Sequence, residues 1–158
     1  MNIIVSISDA RVSRDPADTL VTYALGSCIG VAVYDTEARI GGLLHYQLPT
    51  SSLDASRAKQ NPNMFADTGM DGLIKQMEGM GANKKKFKVK LAGAAQMLND
   101  AGLFNIGRRN HAAIRKILWQ HGLFLDGEDI GGTAPRNLHL QISDGTVVVK
   151  AQGEAKNL

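Results

Sequence analysis

The residue of this chain best suited to nucleophilic chemistry is Cys28, the only cysteine among its 158 residues. It lies in residues 24–30, ALGSCIG, where a glycine on each side of the thiol lets the backbone approach a ligand closely or adopt strained angles. A thiol presented in this way can act as a nucleophile. The alternative is a buried structural cysteine, because cysteines outside disulfides are among the most buried residues in proteins.

His45 is the imidazole that local chain geometry brings to Cys28 most directly. Asp35–Ala38 is a hairpin-turn sequence between two predicted strands, Cys28–Tyr34 and Arg39–Tyr46. A turn centred between residues 36 and 37 places His45 opposite Cys28. A thiol beside an imidazole can form a thiolate–imidazolium pair, which activates the sulfur. The alternative for His45 is a core histidine whose hydrogen bonds are satisfied.

A cysteine–histidine pair usually has a third group that orients the imidazole. Thr22 is the candidate, because it lies on the predicted strand that leads toward Cys28 and its hydroxyl can accept a hydrogen bond from a ring N–H. The alternative is a threonine chosen only for its preference for strands. Asp35 and Asp54 are further candidates, although the first suits a turn and the second lies in a loop-like segment.

The sequence argues against several other kinds of site. The segment around Cys28 lacks the flanking cysteine and aromatic residue of papain-type proteases, and it continues as a strand instead of a helix. The histidines are scattered without metal-ligand spacing: His45, His111, His121 and His139. Because phosphate-loop and dinucleotide motifs are also absent, we predict neither a metal nor an organic cofactor.

The charge pattern is mildly basic, with 18 basic and 15 acidic residues, a net charge of +3 and a pI of about 9.1. This excess suits an acidic partner but falls short of a dedicated nucleic-acid binder. The densest charge run contains lysines 84–86, 88 and 90, with no aromatic stacking platform among them. It indicates either a solvated surface or electrostatic steering toward an acidic partner.

Length and cysteine usage predict the domain count and the compartment. A chain of 158 residues is long enough for one domain, which we place at residues 1–158. A lone cysteine forms no internal disulfide and is typical of the reducing cytosol. Residues 1–10 lack a signal-peptide pattern, and no apolar run approaches the ~20 residues that span a bilayer. We therefore expect a cytoplasmic protein without membrane insertion.

The order of predicted elements indicates a layered α+β domain. After a polar, loop-like stretch at Leu48–Asn63, apolar residues at helical spacing predict one helix, with a cap at residues 61–62 and a stop at Gly79 and Gly81. A second helix is predicted from about Gly107 to His121, with Gly122 as its stop. Hairpin connections favour antiparallel or mixed sheets with two main helices on one face. The predicted strands are Asn2–Ser6, Leu20–Ala24, Cys28–Tyr34, Arg39–Tyr46, Phe87–Ala92, Leu123–Leu125, Leu138–Ile142 and Val147–Lys150.

A series of short motifs runs through the chain in a recognisable order. They are residues 21–28 (VTYALGSC), Tyr34-Asp35, Gly41-Gly42, His45, Leu48-Pro49, Ala66-Asp67-Thr68, Lys90–Ala94, Asn105-Ile106-Gly107, Arg109-Asn110 and Glu128–Gly132. Together they resemble the CheD family, the chemoreceptor glutamine deamidases of bacterial chemotaxis, over roughly residues 3–150. Two departures are Gly93-Ala94-Ala95, where the family often has a further glycine, and Phe65, where it often has tyrosine.

The resemblance implies a three-layer α/β/β sandwich and a catalytic triad. Carried over by position, Cys28 is the nucleophile, His45 the general base and acid, and Thr22 the group that orients His45. Backbone N–H groups near Gly26 and Ser27 are then candidates to stabilise the oxyanion.

The implied reaction converts glutamine side chains on chemoreceptor cytoplasmic helices to glutamate through a thioester, and the same chemistry extends to glutamate methyl esters. The implied regulatory partner is the phosphatase CheC. Two alternatives stay open: a non-catalytic adaptor that binds receptor or CheC, and a general amidase that acts on free glutamine.

Overall fold

The computed structural model describes residues 1–96 and 105–158, which form ten strands and three α-helices. The strands are β1 (Asn2–Ile4), β2 (Asp9–Ser13), β3 (Thr19–Leu25), β4 (Ile29–Asp35), β5 (Ile40–Tyr46), β6 (Phe87–Gly93), β7 (Leu125–Ile130), β8 (Arg136–Gln141), β9 (Val147–Ala151) and β10 (Glu154–Asn157). The α-helices are α1 (Ala55–Gln60), α2 (Ala66–Gly79) and α3 (Ile106–Gln120). Short 3-10 helices cover Ser51–Leu53, Pro62–Met64 and Lys84–Lys86.

The strands form two five-stranded sheets of mixed direction. The outer sheet has the order β1-β3-β8-β9-β10, in which β1 and β3 are parallel and the other pairs are antiparallel. The central sheet has the order β2-β5-β4-β6-β7, in which β6 and β7 are parallel and the other pairs are antiparallel. The predominance of antiparallel pairs agrees with the hairpin connections predicted from the sequence.

The central sheet lies between the helices and the outer sheet. One apolar core contains Met70 and Leu73 of α2 with Leu44 of β5, and a second contains Leu138 of β8 with Leu43 of β5. Adjacent residues of β5 therefore point into different cores, as expected for alternating side chains in a strand. Because both faces of the sheet are covered, every residue of β4 and β5 is buried. The predicted three-layer α/β/β sandwich is confirmed.

Both main helices are confirmed, with their C-terminal ends close to the predicted ones. Apolar side chains of α2 at helical spacing, including Met70, Leu73 and Met77, are fully buried. Gly79 is the last residue of α2, and Gly122, with φ +70°, follows the end of α3. Among the residues described, no helix combines the length and the apolarity needed to cross a membrane.

The predicted loop at Leu48–Asn63 is partly wrong, because it contains α1 and two short 3-10 helices. The Asp54 carboxylate accepts the backbone N–H of Arg57 at 3.0 Å and so caps α1. The Asn61 side chain accepts the N–H of Asn63 at 3.2 Å, so Asn61 caps a 3-10 helix and α2 begins only at residue 66. Aspartate and asparagine cap helices as readily as they form turns, so composition alone did not separate the two structures.

Strands β2 and β10 were not predicted from the sequence, and β7 begins later than predicted. The two missed strands are short, polar edges of their sheets, and every residue of β10 is exposed. The strand predicted at Leu123–Leu125 begins only at Leu125, because parallel pairing with β6 defines β7. Its residue Asp126 accepts the backbone N–H of Val89 on β6 at 2.8 Å. Pairing across a sheet is a tertiary interaction that a local pattern does not reveal.

The β4–β5 hairpin has a register two residues away from the predicted one. His45 pairs with Gly30 and not with Cys28, because the hairpin closes on a four-residue loop, residues 36–39. The Asp35 carboxylate accepts two backbone N–H groups of this loop at 2.8 Å and stabilises it. Since side chains alternate along a strand, a shift of two residues keeps His45 on the same face of the sheet.

Candidate active site

Cys28 lies immediately before β4, at one end of the central sheet. Its side chain packs against the apolar core between the two sheets and stays partly exposed. A cysteine fully enclosed in the core, which was the structural alternative, is therefore not what the fold produces. The position suits a thiol that meets a ligand from solvent while its backbone is held by the sheet.

The end of β6 supports the backbone of the Cys28 loop. The N–H of Ala95 donates to the carbonyl of Gly26 at 2.8 Å, and the N–H of Ala94 donates to the carbonyl of Cys28 at 2.9 Å. Gly93 has φ +121°, and a Cβ there would overlap the carbonyl oxygen of Cys28. Ala94 has φ +56°, in the left-handed region that favours glycine. The close backbone approach thus requires Gly93 and holds Ala94 in a strained conformation.

His45 of β5 and Thr22 of β3 meet between the two sheets. Nδ1 of His45 and Oγ1 of Thr22 lie 2.7 Å apart, and both side chains are buried. The Thr22 hydroxyl donates its hydrogen to the carbonyl of Val5 at 2.7 Å, so it accepts from the ring. His45 therefore carries a proton on Nδ1 and keeps the lone pair on Nε2. The fold brings these two predicted site residues together.

Burial controls the protonation state of His45, which is only 3% exposed. Desolvation penalises the charged imidazolium and lowers the pKa of His45 to about 4. Within the described residues, Nε2 makes no hydrogen bond. The ring is therefore neutral near pH 7 and available as a base. Burial favours the uncharged imidazole at rest, and the thiolate–imidazolium pair that the sequence allows stays a prediction.

Gly30 allows the outer sheet to approach the central sheet at this point. A Cβ at Gly30 would lie 2.8 Å from Leu138 and 3.5 Å from Thr22. The first of these separations is shorter than real Cβ contacts, so a side chain at position 30 would force the Leu138 side chain, between the two sheets, to move. The hydrogen bond between Thr22 and His45 depends on that approach, since its two partners lie on different sheets.

Asn110 is a buried polar residue to which the sequence analysis assigned no role. Its side-chain amide donates to the carbonyl of Ser27 at 2.9 Å and to the carbonyl of Gln47 at 2.8 Å. It lies on the buried face of α3, one turn from Ile106 and one turn from Ile114. An asparagine at an apolar position of a helix was the available signal, because buried amides are expected to have partners.

Tyr46 is a second buried polar residue beside Cys28. Its hydroxyl donates to the main-chain carbonyl of Asn110 at 2.6 Å. Burial raises the pKa of Tyr46 well above its ordinary value, and the negative charge of an ionised Cys28 adds to the shift. Tyr46 therefore remains a neutral hydrogen-bond donor that fixes α3 to β5.

Asp35 and Asp54, the other candidates for orienting His45, lie elsewhere. Asp35 ends β4, at the opposite end of the strand from Cys28, and its carboxylate accepts three backbone N–H groups. Asp54 caps α1. Each carboxylate is thus used by local structure, which leaves Thr22 as the hydrogen-bond partner of His45.

The lysine run, residues 84–90, begins at the far end of the central sheet from Cys28. In the β4–β6 ladder Phe87 pairs with Asp35, whereas the Cys28 end of β4 pairs with the end of β6. Two of the lysines form salt bridges, with Glu37 at 3.5 Å and with Asp126 at 3.6 Å. The run therefore does not border Cys28, and its placement does not support direct steering of a substrate to the sulfur.

The other histidines have their own local partners. His111 contacts Glu128 at 3.1 Å, and His121 contacts Asp71 at 2.9 Å. His139 packs edge-on against the ring of Tyr23. Across residues 1–96 and 105–158, no group of three or more histidine, cysteine or acidic side chains is arranged to hold a metal ion. None of these three histidines joins the Cys28 region.

Comparisons with known proteins agree on one family over nearly the whole chain. A family model described as CheD chemotactic sensory transduction matches residues 47–151. A protein of Solibacter usitatus named "Probable chemoreceptor glutamine deamidase CheD" is 47% identical over 156 residues, covering 99% of this chain and 92% of the relative. "Probable chemoreceptor glutamine deamidase CheD 1" of Syntrophus aciditrophicus is 51% identical over 152 residues, covering 96% and 95%. A Clostridium acetobutylicum protein with the same name as the first is 40% identical over 154 residues, covering 96% and 91%.

Proposed function

The chain belongs to the CheD family, and from that membership we propose that it hydrolyses specific glutamine side chains of chemoreceptors to glutamate. In this proposal Cys28 is the nucleophile, His45 the acid–base and Thr22 the residue that orients His45. The activity in the printed names of the relatives supports the reaction. The observation that carries the choice of residues is the buried hydrogen bond between Thr22 and His45, which leaves Nε2 unprotonated.

In the first half of the reaction, the sulfur of Cys28 attacks the carboxamide carbon of the glutamine. Nε2 of His45 takes the thiol proton as the carbon–sulfur bond forms. The same proton then passes to the amide nitrogen, the carbon–nitrogen bond breaks and ammonia leaves. The product of this half is a thioester between Cys28 and the substrate side chain.

In the second half, water replaces ammonia as the partner of His45. Nε2 takes a proton from the water, whose oxygen attacks the thioester carbon. The carbon–sulfur bond breaks, the proton returns to sulfur and a glutamate carboxyl group is released. The neutral imidazole that burial favours is the form that both halves require at their start.

The oxyanion formed in each half needs hydrogen-bond donors beside Cys28. In a trans peptide the N–H points away from the carbonyl of the same plane. The carbonyl of Gly26 points to Ala95, and that of Ser27 points to Asn110. The N–H groups of Ser27 and Cys28, which share these two peptide planes, therefore point away from Ala95 and Asn110. Backbone N–H groups of the Gly26–Cys28 segment are therefore our candidates for the oxyanion site.

Three further features belong to the same proposal by family membership. Glutamate methyl esters are substrates of the same thioester chemistry, since methanol replaces ammonia as the leaving group. A CheC-type phosphatase is the regulatory partner, and the protein acts in the cytoplasm, where the receptor helices that carry the glutamines lie.

The test is mass spectrometry of candidate receptor cytoplasmic fragments after incubation with the protein or with Cys28→Ala. We expect amide-to-acid conversion at defined glutamines with the wild-type protein and none with the variant. The melting temperature of Cys28→Ala should stay close to that of the wild type, because only a partly exposed thiol is removed. Conversion of glutamine by a folded Cys28→Ala protein would contradict the proposed mechanism.

Two outcomes of the same experiment lead to the alternative functions. A protein that binds the receptor fragment without converting it is an adaptor, and its Cys28 should react with iodoacetamide only near the free-thiol pKa of ~8.5. A protein that converts free glutamine as fast as the receptor fragment is a general amidase. We expect neither result, since a nucleophile beside a neutral base should alkylate at neutral pH and the proposed substrate is a receptor helix.

A further inference from the structure

Asn110 connects the chain segment that carries Cys28 with the one that carries His45. Its side chain is fully buried, at 0% exposure. Nδ2 lies 2.9 Å from the carbonyl oxygen of Ser27 and 2.8 Å from that of Gln47. Ser27 precedes Cys28 directly, and Gln47 follows His45 by two residues. One amide nitrogen thus reaches both sides of the site.

The backbone ladder between β4 and β5 does not extend to this point. Its last pair is Ile29 with Tyr46, so Cys28 and Gln47 occupy the next position, where the strands no longer pair. The two hydrogen bonds of Asn110 lie at that position and take the place of the next step of the ladder. They keep the two carbonyl oxygens within two hydrogen-bond lengths of each other.

The chemistry of the asparagine side chain suits this task. A carboxamide nitrogen carries two N–H donors in one plane, whereas a hydroxyl carries one donor and an ionised carboxylate none. The backbone of Asn110 is fixed as well, because the hydroxyl of Tyr46 donates to the Asn110 carbonyl at 2.6 Å. Among the described residues, Oδ1 of Asn110 has no hydrogen-bond partner. An unpaired buried acceptor is unfavourable, so the benefit of this side chain lies in its two donors.

The geometry points to Asn110 as a positioning residue that sets the alignment of the Cys28 sulfur with Nε2 of His45. This inference rests on the proposed function, since the alignment matters only if the two groups exchange a proton. Without the amide, the Cys28 loop would lose its connection to the end of β5, although β6 would still hold its carbonyls. The sulfur would then reach Nε2 less often, while its intrinsic acidity would not change.

The test uses Asn110→Asp and Asn110→Leu, both of which remove the two donors. We expect kcat on a receptor fragment to fall by about 10- to 100-fold, with KM within about twofold of the wild-type value. Alkylation of Cys28 by iodoacetamide should fall at least tenfold at pH 7. Near pH 10 the thiol ionises without His45, so the alkylation rate there should match that of the wild type.

Two control variants separate alignment from loss of stability. Ile114→Val removes a buried methyl group on the same helix one turn away, and Asn83→Asp makes the same isosteric change at a capping asparagine remote from Cys28. Both should keep the kcat and the alkylation profile of the wild type, even where the melting temperature falls. If Asn110→Asp does not fold because it buries a carboxylate, Asn110→Leu carries the test.

A folded Asn110 variant with wild-type kcat and a wild-type alkylation profile would overturn the inference. So would a variant whose alkylation falls equally at pH 7 and near pH 10, because that result indicates a general change in exposure of the thiol. Failure of the proposed function has a different signature: the wild-type protein would convert no receptor glutamine, or Cys28→Ala would convert it. The alkylation profile is measured without substrate, so it tests the effect of Asn110 on Cys28 in either case.

Discussion

The two ends of the β4–β5 hairpin bury polar side chains to a similar extent but use them differently. At the turn end, Asp35 is 1% exposed, and its carboxylate accepts three backbone N–H groups. At the open end, His45 is 3% exposed, with a partner for Nδ1 and none among the described residues for Nε2. Asn110, beside that end, has a buried oxygen that meets no hydrogen-bond partner in residues 1–96 and 105–158.

The electrostatic consequences follow from this difference. Burial alone would raise the pKa of Asp35, but the backbone N–H donors outweigh it and lower the pKa, so the carboxylate is charged at neutral pH. Burial lowers the pKa of His45 to about 4, so the ring is neutral at pH 7. The Asp35 carboxylate, with its three donors, stabilises the fold, whereas the neutral Nε2 of His45 keeps a lone pair that can take a proton from a reacting group.

The largest effect that the comparison predicts is loss of activity in His45→Gln. A positioned acid–base contributes roughly 10²- to 10⁴-fold, so we expect kcat on a receptor fragment to fall at least a hundredfold. His121→Gln is the matched control, because His121 contacts Asp71 and Lys84 far from Cys28. Equal kcat for the two variants would mean that the open end of the hairpin is not a reactive site.

The pH dependence of activity sharpens the same point. Protonation of Nε2 removes the base, so kcat/KM should fall on the acid side through the pKa of His45, near 4. At pH 5.5 an ordinary histidine is about nine-tenths protonated, whereas His45 should remain neutral and active. The profile is measured on a receptor fragment with buffers matched in ionic strength. An acid limb centred near 6.5 would show that the imidazole is not desolvated.

Thr22→Val should have a smaller effect. It keeps the shape of the side chain and removes two neutral hydrogen bonds, of which only the one to Nδ1 of His45 orients the base. Such a bond is worth about 1–1.5 kcal/mol, so we expect roughly a tenfold lower kcat. Thr22→Ser is the matched control, since its hydroxyl can still accept from Nδ1 of His45 and donate to Val5. Unchanged kinetics in Thr22→Val would show that Thr22 has only a structural role in β3.

Asp35→Asn tests the turn end and should change stability but not catalysis. The amide has only one acceptor oxygen, so it cannot accept both the loop N–H groups and the N–H of Asn83. We therefore expect the free energy of unfolding to fall by about 1–3 kcal/mol, with kcat unchanged. The pKa of Asp35 is lowered in the folded state, so its stabilising effect is present above the unfolded pKa and disappears as the pH falls through the folded one.

Urea unfolding of the wild type and of Asp35→Asn, at neutral pH and in acid, gives the measurement. The stability difference between them should shrink in acid, where the carboxylate of the wild type is protonated. A large loss of kcat in Asp35→Asn would contradict the division of the hairpin into a structural end and a reactive end.

The smallest effect concerns backbone strain beside Cys28. Ala94 has φ +56°, and glycine adopts this conformation without a steric penalty, whereas Ala95 is also buried and has no positive φ. Each alanine-to-glycine change removes a buried methyl group and loosens the unfolded chain. We therefore expect Ala94→Gly to be less destabilising than Ala95→Gly by about 1 kcal/mol, measured by urea unfolding. Equal losses of unfolding free energy in the two variants would show that the backbone at Ala94 is not strained.

Strong local signals account for the parts of the fold that were predicted correctly. The unbroken apolar run of β4 and the helical spacing of Met70, Leu73 and Met77 each specify an element without help from the rest of the chain. The polar strand β10 and the capped helix α1 have no such signal, since their residues are equally suited to turns. Strand β10 forms because it pairs with β9, and α1 forms because a side chain caps it. A local sequence pattern reveals neither interaction.

The residue types and their order along the chain were sufficient to propose Cys28 and His45, whereas Thr22 was proposed mainly from the family resemblance. The sequence placed the three residues on three successive predicted strand segments. Only the tertiary structure decided the hairpin register, the neutral state of His45 and the two hydrogen bonds made by Asn110. The physical reason is that desolvation and hydrogen bonding depend on which groups surround an atom in space. Asn110 lies more than 60 residues from either partner in the sequence, so no local pattern could pair them.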